Sequence, residues 1–111
     1  MGKSFKELAV WQRAMELGLA IYKLTGTFPD SERFGLVNQL RRASVSVPSN
    51  IAEGYGRATK GEYLQFLGMA RGSNSEIETQ LVLAKRLGFG SKQELDEMGR
   101  MLTATIRTLR A

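Results

Sequence analysis

Along most of this chain, apolar residues return with the period of a helix. Val10, Ala14, Leu17, Ile21 and Leu24 follow one another at 4-3-4-3 spacing, one stripe of a helix from about Glu7 to Thr25. Trp11, Met15, Gly18 and Tyr22 form a second stripe beside it, which predicts a broad buried face. "GTFPDSE" then breaks the pattern: Gly26 is expected to supply a left-handed C-terminal cap, and Pro29 cannot continue the helix. Ser31 is the expected N-cap of a second helix, with Glu32 in its first turn. Thr59-Lys60-Gly61-Glu62 matches a capping box and opens a third helix. Its apolar seam reads Tyr63, Leu67, Ala70, Asn74, Ile77, Leu81 and Ala84, and Gly88-Phe89-Gly90 ends it. Ser91 to Glu94 is a second capping box. It starts a fourth helix, with Leu95, Met98, Leu102, Thr105 (or Ile106) and Leu109 as its seam.

One stretch departs from this rule. In "RRASVSVPSNIAEGYGRAT", Ala43, Val45 and Val47 alternate with Ser44 and Ser46, the period of a strand, and a proline follows. An isolated strand would leave its backbone polar groups unsatisfied, and no other segment alternates so as to pair with it. Leu36 (or Val37), Leu40, Ala43, Val47, Ile51 and Gly54 also keep to one side at spacings of three and four, which favours a helix. Pro48 removes a donor and crowds the carbonyl of Ser44, at about 3 kcal/mol, so the expected form is a helix kinked at Pro48. Ser44 and Ser46 are placed to help satisfy the freed backbone groups. The alternative is a break into two short helices, since Val47 precedes a proline.

The 111 residues fit one domain, 1–111, with 42% hydrophobic and 24% charged residues, ordinary for a globular chain. No apolar run approaches the roughly 20 residues that span a bilayer, and Met1 to Lys6 is too polar and short for a secretory signal, so no membrane partner is expected. With no cysteine there is no disulfide framework, which points to a cytoplasmic home. The net charge of +5 favours polyanionic partners. The excess is spread evenly, because residues 1–25 carry four cations and two acids, and 26–59, 60–88 and 89–111 each carry four and three. Any basic patch must therefore be made by folding or assembly.

The chain closely resembles a four-helix-bundle family encoded by open reading frames in intervening sequences of bacterial 23S ribosomal RNA genes, also called the S23 ribosomal protein family. The resemblance rests on "LAVWQRAMEL", "FPDSERFGL", "QLRRASVSVPSNIAEG" and "FLGMARGSNSEIETQL", in that order from about Phe5 to Leu87, while the last helix matches only in pattern. More distantly, the chain is similar to the accessory protein of diversity-generating retroelements. The resemblance implies an all-α, up-and-down, left-handed bundle that assembles into a ring, a homopentamer, with a basic surface suited to RNA or DNA. Through the retroelement relatives it also implies a protein partner such as a reverse transcriptase.

Several cations are candidates for phosphate contact. Arg100, Arg107 and Arg110 share one stripe at spacings of seven and three, and no acid occurs from Gly99 onward. Lys6 and Arg13 extend this cluster if the first and last helices are neighbours, and Arg42 is a further candidate. Arg41, Arg57 and Arg71 read better as structural. Glu53 precedes Arg57 by four residues, and Arg41 or Arg71 could answer Glu76 or Glu78 across the bundle. Asn50 and Asn74 lie near apolar positions, where a polar group more often fixes register than binds a ligand. Gly54, Gly56, Gly68 and Gly72 cost about 1 kcal/mol each in a helix and are expected to permit close approach. Phe66, Met69, Leu83 and Leu87 give the third helix a second apolar edge, the candidate subunit contact.

Enzyme chemistry has little to build on. There is no histidine, hence no imidazole base and no ordinary zinc or di-iron site, and the carboxylates are scattered. No catalytic residue, cofactor or metal site is expected. Trp11 and Tyr22 are expected to be buried and only Tyr55 exposed, which disfavours base stacking on single strands. Two readings follow: an oligomer that binds structured RNA by charge, and a ring-shaped scaffold for another protein.

Overall fold

The structure is a computed structural model that describes residues 4–110, and the side chains of residues 4–109. Four helices account for most of them: α1 (Ala9–Thr25), α2 (Leu36–Tyr55), α3 (Lys60–Leu87) and α4 (Lys92–Arg110). Short 3-10 turns at Phe5–Glu7 and Asp30–Glu32 precede α1 and α2. Each helix packs on two others, α1 on α2 and α4, and α3 on α2 and α4, with the α2–α3 contact the most extensive of the four. The bundle measures 46 × 24 × 20 Å. Its axis is filled by Ala14, Leu17, Ile21 and Leu24 of α1, Leu40, Val47 and Ile51 of α2, Ala70, Ile77 and Ala84 of α3, and Met98, Leu102 and Leu109 of α4, all buried.

The helix ends differ from expectation in instructive ways. Gly26 is right-handed (φ −63°, ψ −18°) rather than a left-handed cap. The last carbonyls of α1 are taken by the backbone N–H groups of Gly26, Thr27 and Phe28, with side chains adding to them. Thr25 Oγ1 donates to the Ile21 carbonyl at 2.7 Å, and Thr27 Oγ1 donates to the Leu24 carbonyl at 2.7 Å. Arg41 reaches across from α2 to the Tyr22 carbonyl at 3.3 Å. With its carbonyls satisfied, α1 needs no left-handed residue to close. Ser31 is not the N-cap of α2 but sits within the 3-10 turn, and Gly35 holds the cap position. The Glu32 carboxylate accepts from the Leu36 N–H at 3.1 Å, doing from further back what a capping serine would do. Ahead of α1, Ser4 and Glu7 form a reciprocal box around the first 3-10 turn, and Leu8 is extended, so α1 starts at Ala9.

The other ends behave as the sequence predicts. Thr59 accepts from the Glu62 N–H at 3.1 Å. Ser91 and Glu94 exchange two bonds of 3.1 Å. Gly88, at φ +80°, caps α3 in the left-handed region that a β-carbon disfavours.

The strand-like stretch is helical, and α2 runs unbroken through Pro48, which excludes two short helices. Ser44 and Ser46 do not satisfy the carbonyl that Pro48 leaves free. Ser44 Oγ donates to the Arg41 carbonyl at 2.9 Å, and Ser46 turns toward α3. At Gly54, α2 and α3 approach closely. A β-carbon there would fall 2.7 Å from Cβ of Phe66 and 3.1 Å from Cδ1 of Tyr63, so only glycine fits. Gly72, in contrast, has open space where a β-carbon would go, and close approach within the chain does not explain it.

Candidate nucleic-acid interface

The cations fall into two sets. Arg57 and Arg41 serve the fold. Arg57 pairs with Glu53 at 2.9 Å, the only ion pair among the described residues, and lies over the Phe66 ring at 4.7 Å. Arg41 donates from Nε to Thr25 Oγ1 at 2.9 Å and stacks on Tyr22 at 4.7 Å, so it ties α2 to the end of α1 rather than to Glu76 or Glu78. Arg13, Arg42, Arg71, Arg100 and Arg107 are exposed and have no carboxylate within ion-pairing distance. Lys6 is exposed in the first 3-10 turn. Arg110 is the last residue of α4, and its side chain lies outside those described.

Two of the candidates line different recesses. Arg42 lines a recess between α2 and α3 with Gln39, Ser46, Glu76 and Gln80. Arg107 instead faces α3, where it meets Arg71, a residue the sequence assigns more readily to structure. Arg71, Asn74, Ser75 and Glu78 stand at i, i+3, i+4 and i+7 on α3. Opposite them on α4 stand Thr103, Ile106 and Arg107, at i, i+3 and i+4. Together they line an open hollow of about 420 Å³.

The floor of that hollow is unusual. Asn74 is 1% exposed, and neither its Nδ2 nor its Oδ1 has a hydrogen-bond partner. Leaving a buried amide unpaired costs roughly 1–3 kcal/mol. The neighbouring hydroxyls do not help. Thr105 Oγ1 donates to the Met101 carbonyl at 3.1 Å, and Thr103 Oγ1 donates to the Gly99 carbonyl at 2.8 Å. Asn50 is the counterexample. Its Nδ2 donates to both the carbonyl and the hydroxyl of Ser46 at 2.9 Å, and Ser73 Oγ donates to the same hydroxyl at 2.9 Å. That network bridges α2 and α3 and gives Asn50 a structural role.

A second open feature is apolar. The stripe Trp11, Met15, Gly18 and Tyr22 is not fully buried. Met15 and Tyr22 are exposed, and with Leu19 (70% exposed), Val45 and Pro48 they line a groove of about 380 Å³ between α1 and α2. On α3, Met69, Leu83 and Leu87 are exposed, while Phe66 is half-buried against Gly54 and Arg57. Pattern alone did not reveal the groove, because a stripe of this kind reads the same whether the chain covers it or leaves it open.

The fold defines an all-helical, up-and-down four-helix bundle, and the described residues contain no cluster of three histidine, cysteine or carboxylate side chains able to hold a metal. No described helix is long and apolar enough to cross a membrane. The chain belongs to the 23S rRNA-intervening sequence protein family, whose sequence model it matches over residues 6–111, fourth helix included. The same fold is found in a crystal structure of a protein of unknown function from the S23 ribosomal protein family of Bacteroides thetaiotaomicron. The TM-score is 0.81 at 20% identity, over 91% of this chain and 94% of that one. Among proteins of curated function, none matches.

Proposed function

We propose that this protein is a non-enzymatic, cytoplasmic, oligomeric bundle that binds structured RNA, or another nucleic acid, through its basic surface. The observation that carries this reading is the set of seven exposed arginines (13, 33, 42, 71, 86, 100 and 107) without an ion-pair partner among the described residues, on a chain of net charge +5. Unpaired guanidinium groups exchange counterions for phosphates at little internal cost, and they act on shape and charge rather than on base sequence. Because the arginines lie on several faces, assembly of copies, with a pentameric ring as the expected form, would gather them around a larger ligand. The family to which the chain belongs is named for an RNA gene, which is consistent with an RNA partner.

The test is fluorescence anisotropy of an RNA duplex across a salt series, with oligomer mass measured in parallel. Binding should weaken with a log–log slope of several released counterions, and an Arg100→Glu/Arg107→Glu variant should lose most of it. An intact oligomer that does not bind at low salt would overturn the reading.

A second reading has its own observation. The α1–α2 groove and the exposed Met69, Leu83 and Leu87 are apolar surface of the kind that docks another protein chain. On that reading the protein is a scaffold for itself and for a protein partner, for example a reverse transcriptase. Such a scaffold would keep its partner at high salt and lose it on Leu19→Asp.

A further inference from the structure

The hollow between α3 and α4 combines features that a merely solvated helix face lacks. It has depth, two arginines with no acid in ion-pairing contact, and a floor made by a fully buried amide with both polar atoms unpartnered. The charge is nearly balanced. Arg71 and Arg107 face a single carboxylate, Glu78, which leaves one positive charge in excess. We infer that this hollow is a binding site for a singly charged phosphate group, with the two guanidinium groups holding its anionic oxygens and the Asn74 amide, closed off from solvent in the free protein, turning toward the group to donate.

A guanidinium offers a planar fork of donors that matches two phosphate oxygens at once. Two such forks on facing helices can grip the group from both sides, and the neutral amide adds a directed hydrogen bond without further charge. The hydroxyls of Ser75 and Thr103 spend their protons on the carbonyls of Arg71 and Gly99, so the guanidinium groups and the amide are the donors. Glu78 disfavours a doubly charged group and so selects the monoanion. The site deepens the RNA reading by naming where one phosphate would dock. Its chemistry suits equally a phosphodiester of a nucleic-acid strand and a free phosphate.

The experiment uses the full chain labelled with ¹⁵N. The side-chain amide signal of Asn74, assigned by its loss in Asn74→Leu, is followed while a diribonucleotide or inorganic phosphate is added at low salt. A saturable shift is expected, weakened tenfold or more in Arg71→Gln/Arg107→Gln. Both arginines are exposed, so that variant should keep the rest of the spectrum. Tighter binding of the diribonucleotide identifies a phosphodiester as the source, and equal or tighter binding of inorganic phosphate identifies a free phosphate. No shift with either probe, an equal shift with chloride, or an unaltered shift in the double variant would each overturn the site. The RNA reading stands apart. RNA bound with a steep salt slope while Asn74 stays silent removes the hollow and keeps the RNA function. Asn74 shifting while no RNA binds does the reverse.

Discussion

Two asparagines face the bundle interior from neighbouring helices, and their surroundings are opposites. Asn50 sits in the α2–α3 seam, where the Ser46 carbonyl and hydroxyl accept from its amide and Ser73 donates to the same hydroxyl, and one turn further on Gly54 lets the two backbones close. Asn74 sits where α3 meets α4, with no partner for either end of its amide and an open hollow above it. The same residue type is structural in one place and uncommitted in the other. A buried polar group that is satisfied explains itself as architecture; one that is left unsatisfied calls for a ligand or a cost. The α2–α3 seam is finished within the chain, and the α3–α4 hollow is not.

The comparison can be broken first at its tightest point. Gly54→Val should destabilise the bundle by about 3 kcal/mol, since the new β-carbon collides with atoms fixed near the α3 backbone. A denaturant midpoint close to wild type would show that the seam can open. Arg41→Met should cost about 2 kcal/mol, because it removes the bond to Thr25, the cap on the Tyr22 carbonyl and the stacking on Tyr22. Asn50→Leu should cost about 1.5 kcal/mol through the loss of two hydrogen bonds in the seam. If that variant proved as stable as wild type, the serine–asparagine network would be incidental. The smallest effect is expected at the hollow's rim. Arg71→Gln/Arg107→Gln should change stability by less than about 0.5 kcal/mol, as exposed residues without partners usually do. A large loss would make those arginines part of the fold.

Much of this architecture could be read from the sequence because helices announce themselves locally. The Ser91–Glu94 box, the Thr59 cap and the Gly88 terminus follow from side chains within four residues of one another. The helical reading of Ala43 to Val47 also held, because its spacing extends on both sides of the strand-like stretch. What escaped was whatever depends on a partner distant in sequence. Glu32 caps α2 from outside the usual position, so Ser31 is not the N-cap, and Gly26 caps α1 as expected but in a right-handed conformation, with Arg41 adding a bond to the Tyr22 carbonyl. Arg71 read as structural because Glu76 or Glu78 was expected to answer it across the bundle, yet it lines one hollow with Arg107 and Asn74. The opening between α1 and α2 was illegible for the same reason: periodicity says which residues share a face, not whether another helix covers it.

The central claim is that Asn74 is held unsatisfied for a phosphate rather than for the fold. Its most direct test is the denaturant midpoint of wild type and Asn74→Leu, each measured with and without a diribonucleotide. Without ligand, Asn74→Leu should be the more stable by about 1 kcal/mol, since it removes an orphaned amide and no hydrogen bond. With ligand, the wild-type midpoint should rise by the amount that mass action gives, and the Asn74→Leu midpoint should rise by less, since it keeps the arginines and loses the amide. A destabilised Asn74→Leu, together with a wild-type midpoint that ignores the ligand, would contradict the account.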